Sequence, residues 1–354
     1  MNNTQLLEKL NKTGKLTQKQ MEKLARHMTR ASRERQLEAI RQCGYALCFI
    51  ENPTEEIELE AVKQNGYAID YIKNPTEEVQ LEAVKQNGGA VKFIDNPSET
   101  VQLEAVKQNG EAIRRIESPS KEVQLEAVKQ NGFAIQYIDN PSREVQLEAV
   151  KQNGYALQHI TIPSREVQLA AIKQAGGAIR YLENPTEEIQ LEAVKKAGTT
   201  IRHIKNPTEE IQLEAVKQNG GAVRFIKNPT QEIQLTAVKQ TGMAIEHIEN
   251  PTEEIKLAAV KQDGNVIRYI ENPTKEVQLE AVKQNCAAIR HIRSPTGDLE
   301  VLSLMLRLNG DYDMAHRTAK TLYEDMSKDD REKLKDSLTR SRSALAGGGR
   351  TLDI

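Results

Sequence analysis

Four of the six histidines, His159, His203, His247 and His291, recur at intervals of 44 residues, and imidazole is the commonest metal ligand among side chains. Spacing this regular belongs to a repeat. Donors to one zinc ion lie about 2 Å from it, whereas helices two layers apart in a stack stand about 16–20 Å apart. No metal site is therefore expected, and no cofactor. Residues that announce catalysis are also missing. There is no GxxxxGKS/T phosphate cradle, no GxSxG elbow and no HExxH pair. Recognition, not enzymatic chemistry, is the class of function to look for.

Residue types that serve recognition are present, and they are ordered. Counting in units of 22, one position carries Phe49, Tyr71, Phe93, Arg115, Tyr137, His159, Tyr181, His203, Phe225, His247, Tyr269 and His291. The position four residues earlier carries Tyr45, Tyr67, Phe133 and Tyr155, and otherwise small or polar groups apart from Met243. These two columns hold eleven of the thirteen Phe and Tyr residues, and at i,i+4 on an α-helix they would share one face. The residue before the first column is Lys92, Arg114, Arg180, Arg202, Arg224, Arg268 or Arg290 in seven units. Paired aromatics concentrate in the first six units and arginines in the last six. Aromatics and Arg are enriched where proteins bind one another. A packing role competes with this reading, since a ring in each unit could cover the following proline.

These columns need an element to carry them, and the repeat supplies it. From Arg30 to Arg293 the chain divides into twelve units of 22 residues without insertion or deletion. NPTEEIQLEAVKQNGGAVRFIK, residues 206–227, is one of them. Asn206 reads as a helix cap, Pro207 as its first turn and Glu209 as the return arm of a capping box. Gly220, a position that is Gly in eleven units and Cys286 in the twelfth, reads as a left-handed helix stop. Residues 222–226 then predict a second, very short helix, ended by the next Asn-Pro. On the first helix Ile211, Ala215, Val216 and Leu213 cover one broad apolar arc. Gln212 and Asn219 fall inside that arc and must be hydrogen-bonded, as a ladder tying units to the intervening turns. Glu214 and Lys217 form a solvated, mutually neutralising outer surface.

One such unit cannot bury its apolar face alone, so neighbours must stack. The predicted fold class is all-α, an α-solenoid with a right-handed superhelix, built of twelve helix–turn–short-helix repeats with helical caps. Residues 1–29 read as an N-terminal cap of two helices, the second opening with the box Thr17-x-x-Gln20. Residues 30–293 are the solenoid, 294–345 a C-terminal helical cap, and 346–354, rich in glycine, a flexible tail.

Bulk properties agree with a thin, polar stack. Apolar residues make up 38% and charged residues 28%, tryptophan is absent, and the net charge is −2. The repeats themselves sum to −5, with 33 Lys and Arg against 38 Asp and Glu. No global field therefore draws nucleic acid or an anionic membrane. Three cysteines, Cys43, Cys48 and Cys286, make no disulfide framework. With no signal-peptide run and no membrane-spanning stretch, a cytoplasmic location is expected.

Tandem VKQNG followed by a short A-I-x-Y-I segment resembles a family of bacterial, phage and giant-virus repeats known only as a domain of unknown function. The resemblance covers residues 30–293. It implies an α-solenoid, allied in architecture to HEAT-like and leucine-rich-variant repeats, and implies no activity. If the chain is viral, a host protein in the host cytoplasm is the partner implied. Residues and resemblance together predict a non-enzymatic scaffold that binds a protein partner. Its face comprises Tyr45, Phe49, Tyr67, Tyr71, Phe93, Phe133, Tyr137, Tyr155, His159, Tyr181 and Phe225 with Arg180, Arg202, Arg224, Arg268 and Arg290. Self-association into a homo-oligomer is compatible with such a stack. The alternative is a nucleic-acid-binding solenoid that stacks bases on the rings and follows phosphates with the arginines.

Overall fold

The structure is a computed structural model that describes residues 1–297 together with 299, 300 and 303. Every regular element among them is helical. Helices α1 (Asn3–Thr13) and α2 (Gln18–Thr29) precede twelve pairs, each a ten-residue α-helix followed by a six-residue 3-10 helix. The first pair is α3 (Arg33–Gln42) with Gly44–Phe49, and the last is Lys275–Gln284 with Cys286–His291. The chain is an α-solenoid. It divides into two compact units, Met1–Pro185, with α1, α2 and seven pairs, and Thr186 onward, with five. The C-terminal cap and the tail expected from the sequence lie, but for 294–297, 299, 300 and 303, outside the described residues.

In most pairs three residues of the long helix, two of the short one and the residue that follows it make the core. In the pair Glu209–Gln218 and Gly220–Phe225 these are Ile211, Ala215 and Val216 with Ala222, Val223 and Ile226, all buried. Leu213, placed by the sequence in the same arc, is only partly buried, and its counterpart Leu279 is 37% exposed. It sits at the margin of the core, 200° round a 100°-per-residue helix from Ile211.

Three local expectations are corrected. The helix cap is not Asn206 but the Thr or Ser two residues on. Ser98 Oγ accepts from the Val101 amide at 3.4 Å, and Thr230 Oγ1 accepts from the Ile233 amide at 3.4 Å. The proline therefore lies one residue before the cap, and Glu209 opens the helix instead of closing a box. It is the Asn that takes the left-handed backbone, φ 54° at Asn228 and 49° at Asn250 and Asn272, because its short polar side chain tolerates that region better than most.

Glycine at the Gly220 position is not a left-handed stop. Among the described glycines only Gly14 has that backbone. Here glycine is required by proximity: a Cβ on Gly88 would lie 2.3 Å from the Ala105 carbonyl oxygen of the next pair, and on Gly110 2.5 Å from that of Ala127. The Gly88 amide donates to Gln108 Oε1 at 2.7 Å across the same gap, and Gly110 to Gln130 likewise. Cys286 is tolerated in the last pair, after which the repeat pattern is lost.

Hydrogen bonds of the Gln212 column also run differently from expectation. Gln212 Nε2 donates to the carbonyl of Pro207 at 2.9 Å, closing its own turn. The ties between pairs are made instead by the glutamine of VKQNG, at the Gln108 position. Asn219 Oδ1 accepts from the Gly221 amide at 3.0 Å and so starts the short helix.

Ion pairs, too, run mainly between pairs. Lys283 and Glu280 face each other on one helix at 3.9 Å. Arg33–Glu56, Lys121–Glu144 and Arg143–Glu166 instead link the first residue of one long helix to the second residue of the next. Where the first residue is Glu, as at Glu187 and Glu209, it accepts from the next pair's capping Thr, Thr208 or Thr230, at 3.0 and 3.1 Å.

Candidate functional site

The short helices are 3-10 helices, and this changes which residues can meet. Backbone bonds span three residues, as from the Ile226 amide to the Val223 carbonyl at 3.0 Å. At three residues per turn, positions i and i+3 eclipse, and i and i+4 point about 120° apart. The two aromatics of one unit, Tyr67 and Tyr71 for example, therefore do not share a face as an α-helix would have had it. Tyr67 and Tyr71 each meet a ring of a neighbouring pair instead.

Tyr45 packs edge-on against Tyr71, with centroids 6.4 Å apart and planes at 85°. Tyr67 meets Phe93 at 5.9 Å, Phe133 meets His159 at 5.9 Å, and Tyr155 meets Tyr181 at 6.5 Å, all near perpendicular. This is the T-shaped geometry that the ring quadrupole favours. Phe49 and Tyr137 enter no ring pair among the described residues. Tyr71 and Tyr137 remain 46% and 37% exposed, so the ladder is an edge open to solvent.

Cations complete it. The Lys92 ammonium lies 4.9 Å from the Tyr67 ring and 4.3 Å from Phe93. Arg180 bridges Tyr155 and Tyr181, at 5.1 and 4.8 Å, and donates to the Tyr181 hydroxyl at 2.8 Å. Beyond Thr186, Arg224 lies over Phe225 at 4.5 Å and Arg268 over Tyr269 at 4.9 Å. Arg202 donates from Nε to His203 Nε2 at 3.0 Å, while Arg290 turns back to the Ala287 carbonyl. Lys92 thus belongs to the face as fully as the arginines, and the column that contains it was the signal.

Sequence reasoning missed one further relation. A Cβ on Gly89 would lie 2.7 Å from the Tyr67 hydroxyl, and on Gly177 2.7 Å from that of Tyr155. The small residues of the second column therefore lie under tyrosines of the preceding pair. Tyr followed by Gly 22 residues later, seen twice, was the legible trace.

Electrostatics at the face are mild. Burial lowers the His159 imidazole below its ordinary 6.5. Burial, helped by Cys48, Asp70 and Tyr45, raises the Tyr71 hydroxyl above its ordinary 10.0. Both groups are neutral at physiological pH. Among the described residues no three His, Cys, Asp or Glu side chains come together as metal ligands would, and no helix is long and apolar enough to cross a membrane.

A family model described as Domain of unknown function (DUF4116) matches residues 98–141 and, one repeat further on, 120–163. Each match spans two units, from the capping serine, Ser98 or Ser120, to a proline, Pro141 or Pro163. The matched segments are narrower than the 30–293 of the resemblance drawn from VKQNG. No curated protein matches the chain, and no solved structure does.

Proposed function

We propose that this protein is a non-enzymatic scaffold that binds a protein partner along the edge formed by its 3-10 helices. The supporting observation is the layering of cation on ring. Lys92, Arg180, Arg224 and Arg268 lie on the faces of aromatic side chains. An arginine stacked in this way keeps the edge of its guanidinium, with its N–H donors, free for carboxylates. The partner surface that fits is acidic, with apolar groups placed to meet the exposed flanks of Tyr71 and Tyr137. Should the chain be of viral origin, a host protein is the natural candidate.

The nucleic-acid reading is weaker for the same reason. Bases stack on ring faces, and here most of those faces already hold cations of the same chain or meet ring edges. Replacing Arg180, Arg202 and Arg224 with Glu tests both readings. Affinity capture from lysate, with and without nuclease, is expected to retain acidic proteins on the wild type and lose them on the variant. Retention of the same proteins by the variant would show the reading to be wrong. Capture abolished by nuclease and falling steeply with salt would transfer the face to nucleic acid. Light scattering of the isolated chain tells whether a second copy is itself the partner.

A further inference from the structure

Charge is distributed very unevenly along this chain. Residues 1–42 contain ten Lys and Arg against four Asp and Glu, a net of +6. The whole chain is −2, so the remaining residues carry −8. Much of the positive charge converges on one place. Lys23, Arg26, His27, Arg30 and Arg35, with Ala31, line a cleft of about 500 Å³ where α2 gives way to α3. No carboxylate lines it.

An end cap requires only a polar outer face, and that accounts for some of these residues. Arg26 and His27 lie in the last turn of α2, where the helix dipole favours cations. It does not account for Arg35. In the other eleven units this position is Ile or Val, and all are buried. In the first unit it is an exposed arginine, in the opening turn of α3, where the same dipole disfavours positive charge. Among the described residues Arg26, Arg30 and Arg35 make no ion pair, whereas their neighbours Arg33 and Arg41 pair with Glu56 and Glu60. Unpaired like charges gathered around one cleft repel one another unless something of opposite sign is bound there.

The walls are also held in place. Gln36, next to Arg35, donates from Nε2 to the Met28 carbonyl at 3.1 Å, and Leu24 and Met28 of α2 are fully buried. We infer that the α2–α3 cleft binds a compact anion bearing several phosphate groups. Guanidinium forks recognise phosphate oxygens in pairs, and the volume suits a small ligand. The cleft presents no Phe, Tyr or Trp ring and no large apolar side chain, so it offers no seat for the apolar anchor of a peptide. A long polyanion would have to run along a surface that is net negative beyond residue 42.

Calorimetry with inorganic triphosphate at low ionic strength tests the site, and inorganic monophosphate is the comparison. Triphosphate is expected to bind at least about tenfold more tightly than monophosphate, the increment of one extra charge-assisted contact. Arg26→Ala/Arg30→Ala/Arg35→Ala is expected to weaken it by a further tenfold or so with unchanged circular dichroism. Arg35→Val, which restores the residue type of the other units, is expected to keep or raise the melting temperature and still weaken binding several-fold. Sedimentation with phosphatidylcholine vesicles containing phosphatidylinositol bisphosphate separates the sources. Arg-dependent vesicle binding identifies a lipid headgroup, and triphosphate binding without vesicle binding identifies a free ligand. Absence of both, or affinities equal in wild type and variants, would overturn the inference.

Discussion

A glycine can be needed for its backbone freedom or for its missing side chain, and in this chain the second reason dominates. Gly88 lies against the Ala105 carbonyl, and Gly89 lies under the Tyr67 hydroxyl. The two should respond differently to Ala. Gly88→Ala meets rigid backbone and is expected to cost about 1–3 kcal/mol or more by urea denaturation, whatever stands at position 67. Gly89→Ala meets the end of a side chain, so combining it with Tyr67→Phe is expected to recover more than about 0.5 kcal/mol of its cost. Additive losses in that cycle would count against the contact. His159 gives a pH test. Its imidazole titrates below the ordinary 6.5, so the unfolded chain binds that proton more readily, and stability falls as pH drops through and below the ordinary value. His159→Phe keeps the ring against Phe133 and removes the proton. Its melting temperature relative to wild type is expected to rise between pH 7 and pH 5, and a constant difference would refute the assignment.

Elements in this fold were legible in period and type, less so in their joints. The 22-residue rhythm and the burial of Ile211, Ala215 and Val216 follow directly from spacing. The short helix was visible as well, but not its 3-10 winding, because six residues contain too few turns for periodicity to separate 3.0 from 3.6. That one difference re-sorted the aromatic contacts, from pairs within a unit to pairs between neighbours such as Tyr67 and Phe93. Ties between pairs were misassigned for a related reason. Gln102 and Gln108 are both glutamines of one helix, and only geometry shows that the first reaches its own Pro97 carbonyl while the second reaches the Gly88 amide. Gln108→Ala strands a donor between pairs and is expected to cost about 1–3 kcal/mol in thermal or urea unfolding. Gln102→Ala releases a carbonyl in a turn that solvent can reach and is expected to cost less; the reverse order would contradict the assignment.

Taken as a whole molecule, the chain repeats one solution twelve times and departs from it where stacking does not decide the residue. Columns that stack, such as Ala215 and Gly220, hardly vary. The short-helix edge does vary, between Tyr, Phe, His and Arg, and the first pair carries Arg35 where the others use Ile or Val. Amide exchange of the complex formed with a captured partner tests the central claim most directly. Protection is expected at the 3-10 helices, Gly88–Phe93 and Gly176–Tyr181 among them, with the outer faces of the long helices unchanged. Protection confined to the long helices, with the 3-10 edge exchanging as in the free protein, would contradict it.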